Sequence, residues 1–185
     1  MKQSSDQMAA RLSAAMAPKG DLELVHDGKV GTFQKVDLLE HRPLEDHLIE
    51  ASDRQLRELG YEVVGDLVCS RFPDVIVRGY ARPGGDTWRA YLAGFLESAF
   101  EFVTLFEKNA GLTTTCKSGP PDDPAKGLYR SRHPKLNFRL LKKLHAGHEK
   151  RKPALAKKLG SALSAPVDLT AFARAVDEAV SRQLE

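Results

Sequence analysis

His145 and His148, with Glu149 beside them, are where residue type and spacing come nearest to chemistry in this sequence of 185 residues. Two imidazoles three residues apart on a helix project from one side and can share a metal ion. A zinc site needs three or four ligands, however. Neither Cys69 nor Cys116 is close in sequence, and Lys142, Lys143 and Lys150 would oppose a dication. The pair is therefore expected to be solvated polar surface of a helix, and no metal or cofactor is implied. His41 and His47 flank Glu45 and Asp46 at a helix start, where the helix dipole already explains the carboxylates. The nucleophile motif G-x-S-x-G is absent, as are H-E-x-x-H, the Walker A loop and G-x-G-x-x-G. Thr113, Thr114 and Thr115 carry hydroxyls but suit a strand, and Cys116 has no neighbour to lower its pKa. The chain reads as non-catalytic.

Charge gives a stronger pattern. Residues 126–160 hold twelve Lys or Arg against Glu149 alone, whereas the whole chain carries a net charge of only +3. The rest is therefore acidic overall. A basic block of this kind attracts an acidic protein surface or nucleic acid, or packs on the acidic remainder of its own chain. Arg139, Lys142, Lys143, Lys150, Arg151 and Lys152 are the candidate contact residues, with Lys142, Lys143, Arg151 and Lys152 expected to be exposed. Only Tyr129 and Phe138 interrupt the block, so base stacking is not favoured. A second candidate site is apolar. Trp88, Phe100, Phe102 and Phe106, with Phe95 and Tyr91 nearby, either form core or line a pocket for a small apolar ligand.

The elements that would position these residues follow from hydrophobic period. Residues 1–20 form a weak helix at best and lack the apolar run of a signal peptide. Two short strands flank Asp27-Gly28, a hairpin signal. Leu44, Leu48, Leu56 and Leu59 make one stripe of a helix over 43–59, stopped by Gly60. From Tyr61 onward the period shortens to two. Strands are expected over 61–69, 75–80, 87–95, 99–107 and 112–116, joined by short loops, which requires antiparallel pairing. On the strand at 99–107, Phe100, Phe102, Thr104 and Phe106 share one face. The proline-rich stretch 119–134 reads as loop. Leu136, Leu140, Leu141 and Leu144 begin a helix that Gly147 and Pro153 should interrupt, and Asp168 should cap a final helix reaching Gln183.

The order of these features resembles a group of uncharacterised bacterial proteins. It runs through Gly60-Tyr61-Glu62-Val63-Val64, then Gly111-Leu112-Thr113-Thr114-Thr115, His133-Pro134 and Leu144-His145. The likeness spans roughly residues 43–152. It implies a bacterial α+β domain and carries no activity, cofactor or catalytic residue with it.

The expected fold is α+β, an antiparallel meander of four to six strands with a helix on one face and helical C-terminal segments. A single domain should span 21–185, with 126–160 as a basic helical segment. No apolar run reaches the length of a membrane span, and two cysteines are too few for a disulfide scaffold, so the expected compartment is the cytoplasm. The expected function is a binding or adaptor module that turns its basic surface toward an acidic protein or nucleic acid. The alternative is a small-ligand domain using the aromatic sheet face.

Overall fold

The computed structural model describes residues 22–41, 46–93, 98–117, 122–133 and 140–184. The expected helix over 1–20 and the site residue Arg139 lie outside them. In chain order the elements are β1 (Leu24–Asp27), β2 (Thr32–Lys35), α1 (Leu38–His41), α2 (Asp46–Glu58), β3 (Glu62–Cys69) and β4 (Phe72–Ala81). Then come β5 (Trp88–Ala93), β6 (Ser98–Phe106), β7 (Ala110–Thr115), a 3-10 turn (Pro124–Lys126) and β8 (Leu128–Arg132). Two long helices, α3 (Leu141–Leu159) and α4 (Leu169–Leu184), close the chain.

The α+β class holds, but the sheet is larger than expected and mixed. It has eight strands whose spatial order is their chain order. Pairings from β1 to β7 are antiparallel, while β8 runs parallel to β7, with Gly111 opposite Leu128 and Thr115 opposite Arg132. The stretch expected to be loop thus contains a strand. Parallel pairing needs a crossover of about a dozen residues, and the segment 116–127 between β7 and β8 has that length, with the 3-10 turn near its end. Gly127, at φ 68, turns the chain into β8, and the Gly111 N–H donates to the Gly127 carbonyl at 2.9 Å.

Pro73 does not break the sheet. It lies inside β4, where Val68 pairs with Ile76 but Cys69 pairs with Phe72. The extra β4 residues form an irregularity that spares Pro73 the ladder bond it cannot donate. At the end of α2, Gly60 adopts φ 79. Its N–H reaches the Arg57 carbonyl and that of Tyr61 the Leu56 carbonyl, both at 2.9 Å, which satisfies the last carbonyls before β3 begins.

Both faces of the sheet are covered. Helices α1 to α3 lie on one, and their core joins Leu38, Ile49, Leu56, Tyr61, Tyr80, Phe102, Leu141 and Leu144. Farther along α3, Leu155 and Leu159 pack with Phe106, Leu112 and Tyr129. Helix α4 covers the opposite face, where Phe172 and Val176 meet Phe33, Leu67, Val77 and Trp88. Asp168 caps it as expected, its carboxylate accepting the Ala171 N–H at 2.8 Å. The approach is close. A Cβ on Gly79 would stand 2.5 Å from the Phe172 ring, so only glycine admits the helix there. Asp177 of α4 accepts the N–H groups of Lys29 at 3.0 Å and Val30 at 2.8 Å, pinning the β1–β2 turn.

Candidate functional site

Helix α3 carries most of the candidate residues. It is one continuous helix, not the interrupted pair expected. Leu141, Leu144, His148, Leu155 and Leu159 hold one side against the sheet along its whole length. That burial on both sides of Pro153 outweighs the single backbone bond the proline removes. Gly147 marks a close approach, not a stop, since a Cβ there would meet His133 Nε2 at 3.2 Å.

Under α3 lies a buried polar layer. His148 is fully buried, which corrects the expectation of a solvated side chain. Its Nε2 lies 2.9 Å from Thr104 Oγ1 and its Nδ1 2.9 Å from Thr114 Oγ1. A neutral imidazole offers one donor and one acceptor, and two hydroxyls match it. Burial, helped by the Lys152 charge, pushes the His148 pKa down to about 3. Thr104 continues the chain to Thr87 at 2.8 Å. The contact between Thr104 and His148 has the reach of a nucleophile and its base. Both groups are sealed, however, and both His148 nitrogens are taken, so the arrangement pins α3 to β6 and β7.

Lys152 completes this layer. Its ammonium lies 2.7 Å from Asp86 Oδ1 and 2.9 Å from Glu149 Oε2. Burial works against the Asp86 charge, yet the Lys152 ammonium holds that carboxyl below its ordinary range. Arg151 is also turned to its own chain, donating to the Arg130 carbonyl and to Asp122. Lys142 makes an exposed pair with Glu58 on α2, a type worth little in water. Lys143 and Lys150 are exposed, and among the described residues neither meets an acid. The six basic candidates therefore do not form one surface. Arg151 and Lys152 are half-buried internal partners, contrary to the expectation of exposure, while Lys157, not singled out from the sequence, lines up with Lys143 and Lys150. The basic stretch 126–160 is also not helical throughout, since β8 lies within it.

The aromatic candidates divide as well. Phe100 and Phe102 belong to the core under α2 and α3, and Phe106 to its extension under α3. Trp88 lies on the other face, its ring edge-on to Phe172 at 5.5 Å. Strand parity requires this, because Arg89, not Trp88, shares its face with Phe102.

Arg89 was not foreseen. It is completely buried, and its guanidinium carbon sits 4.2 Å from the Phe100 ring centre, 5.2 Å from Phe102 and 5.5 Å from Tyr80. Burial lowers its pKa to about 10, so it stays charged at neutral pH. Its trace in the sequence is a lone charge inside the otherwise apolar strand Trp88–Ala93. Cys69 and Cys116 are free thiols. Among the described residues, no three His, Cys, Asp or Glu gather to hold a metal ion, and no helix is long and apolar enough to cross a membrane. No protein-family model, curated protein or solved structure matches this chain.

Proposed function

We propose that the protein is a non-catalytic binding module whose outer α3 surface docks an acidic partner, a nucleic acid backbone or an acidic protein face. The observation that carries this reading is the partition of cations around α3. At roughly 100° per residue, Lys143, Lys150 and Lys157 fall close to one line, on average about 140° from the buried Leu144, His148 and Leu155. All three are exposed, and among the described residues none is neutralised. The inner side of the same helix is fixed by His148, Lys152 and the leucines, so the lysines project from a rigid support. Exposed Lys142 and Lys158 flank the line.

No aromatic side chain joins the stripe, so recognition is through phosphate or carboxylate charge and is sequence-tolerant. The test is a salt series with duplex DNA, single-stranded RNA, an acidic peptide and heparin. If three phosphates are neutralised, the logarithmic slope on duplex DNA is near −2.7, and affinity falls about 40-fold between 50 and 200 mM salt. Changing Lys143, Lys150 and Lys157 together to Glu should abolish binding and leave the unfolding midpoint within a degree or two of the parent. Unaltered binding by that variant refutes the reading, as does the absence of binding to every probe at low salt. Preference for one probe at physiological salt names the partner class.

A further inference from the structure

On the sheet face beneath α2 and α3, two buried arginines stand in contrast. Arg78 on β4 is matched in full. Its Nε lies 2.7 Å from Asp66 Oδ1, its Nη2 3.1 Å from Asp66 Oδ2, and its Nη1 3.7 Å from Asp53. Burial alone would lower its pKa, yet the bond to Asp66 raises it above the ordinary value. Arg89 on β5 is buried more deeply, and among the described residues none of its three nitrogens has a hydrogen-bond partner. Three aromatic rings surround it, and cation–π attraction offsets only part of the cost of desolvating a guanidinium. Asp53, the carboxylate whose charge acts on Arg89, already accepts the Tyr80 hydroxyl at 2.8 Å.

Two more orphaned polar groups converge on the same place. Among the described residues Tyr61, 1% exposed, has no hydrogen-bond partner for its hydroxyl, and half-buried His145 has none for Nε2, with Glu149 3.7 Å away. Tyr61, His145 and Arg89 all pack around the Phe102 ring, the first two with ring centres 5.9 and 5.2 Å from it and 5.7 Å from each other. Arg89 acts electrostatically on both Tyr61 and His145. Buried polar groups in native proteins are almost always satisfied, so a cluster of orphans around one ring marks the position of a polar guest.

We propose that Arg89, the Tyr61 hydroxyl and His145 Nε2 form an internal site for a small carboxylate monoanion. The charge count sets the class. Burial holds His145 below its ordinary pKa and Tyr61 above its own, so both are neutral at pH 7. Among the described residues Arg89 is the fully buried cation of this cluster with no carboxylate bonded to it, although the half-buried Arg82 also acts on Tyr61 and His145; a monoanion balances the Arg89 charge and a phosphate dianion over-balances it. The guanidinium fork suits the two oxygens of a carboxylate, and the tyrosine donates a further bond. Because these atoms are shielded from solvent, the guest enters only when the helices over Phe102 part, and binding is slow.

The full chain is equilibrated with formate, acetate or benzoate, and with chloride or phosphate at matched ionic strength, before thermal unfolding is recorded. A fitting carboxylate should raise the midpoint in proportion to the logarithm of its concentration above Kd, by about 5–10 °C at a hundredfold excess. Arg89→Met should erase the carboxylate-specific part, and Tyr61→Phe should weaken affinity about tenfold. The Lys143, Lys150 and Lys157 to Glu variant should keep the full shift, which separates this site from the outer stripe. Equal midpoints in carboxylate and chloride overturn the proposal, as does a stronger response to phosphate or a response that persists in Arg89→Met. Should Arg89→Met fail to fold, unaltered affinity in Tyr61→Phe overturns it and weakened affinity supports it.

Discussion

The two faces of the sheet are held by different physics. Helix α4 sits on glycine, with Phe172 lying over Gly79 and Val176, Ala173 and Trp88 closing the layer. Its adhesion is mostly apolar contact at short range, with Asp177 on the β1–β2 turn as its polar anchor. Helix α3 sits on a layer in which His148, three threonines, Lys152 and two carboxylates are bonded to one another, with Arg89 unmatched nearby. Its adhesion depends on protonation state and on charge balance. One sheet thus has an inert side and a responsive side.

The largest effect is expected on the inert side. Phe172→Ala removes a fully buried ring and leaves a cavity, at a cost of about 3–5 kcal/mol. Denaturant unfolding should show the same loss at pH 7 and at pH 5. A loss that changes between those values would couple α4 to the polar layer and blur the contrast between the faces.

A smaller effect, confined to the responsive side, follows from His148. Its folded pKa lies near 3, below the unfolded value near 6.5. As pH falls below about 6.5 the unfolded chain takes up a proton that the folded chain refuses, so stability declines until pH approaches 3. Between pH 6.5 and 5 the loss from this group is about 2 kcal/mol. His148→Gln should be less stable at pH 7 but flatter over that window. Parallel pH profiles for the two proteins would remove His148 as the source of the acid response.

The finest comparison lies within α3. Lys152→Met strands Asp86 and Glu149 half-buried and should cost roughly 1–2 kcal/mol. Lys150→Met, two residues earlier on the exposed side, should stay within about 0.5 kcal/mol. Equal costs measured by urea unfolding would mean that the bonds to Lys152 add nothing to stability.

That pair also shows what the sequence could reveal. The charge excess of 126–160 is plain from residue counts, but which lysine faces inward depends on helix phase. The phase is set by Leu141, Leu144, Leu155 and Leu159, a stripe that reads as one helix only if Gly147 and Pro153 are read through. Alternation was enough to place Phe100, Phe102 and Thr104 on one face. It also fixes Trp88 opposite them, but only once the β5–β6 register pairs Trp88 with Val103. Strand β8 escaped notice because five residues with two arginines, following a run of prolines, resemble a loop. Parallel pairing is a property of the partner and leaves no local mark. Arg89 was visible as an oddity, but its burial against Tyr80, Phe100 and Phe102 arises from two other strands.

The strand order has a consequence for synthesis. Each strand from β2 to β8 pairs with its predecessor in the chain, so the sheet can grow in order as the polypeptide emerges. Its α4 face cannot be closed in that way. Asp177 reaches Val30 across 147 residues, and Phe172 must cover strands made long before it. Until α4 leaves the ribosome, Phe33, Leu67, Val77 and Trp88 form a bare apolar surface on an otherwise assembled sheet, the kind of intermediate on which aggregation begins. Stop codons placed between residues 160 and 168 should therefore yield insoluble chains even though all eight described strands are present, and the nascent protein has its greatest need of a chaperone just before α4 is made.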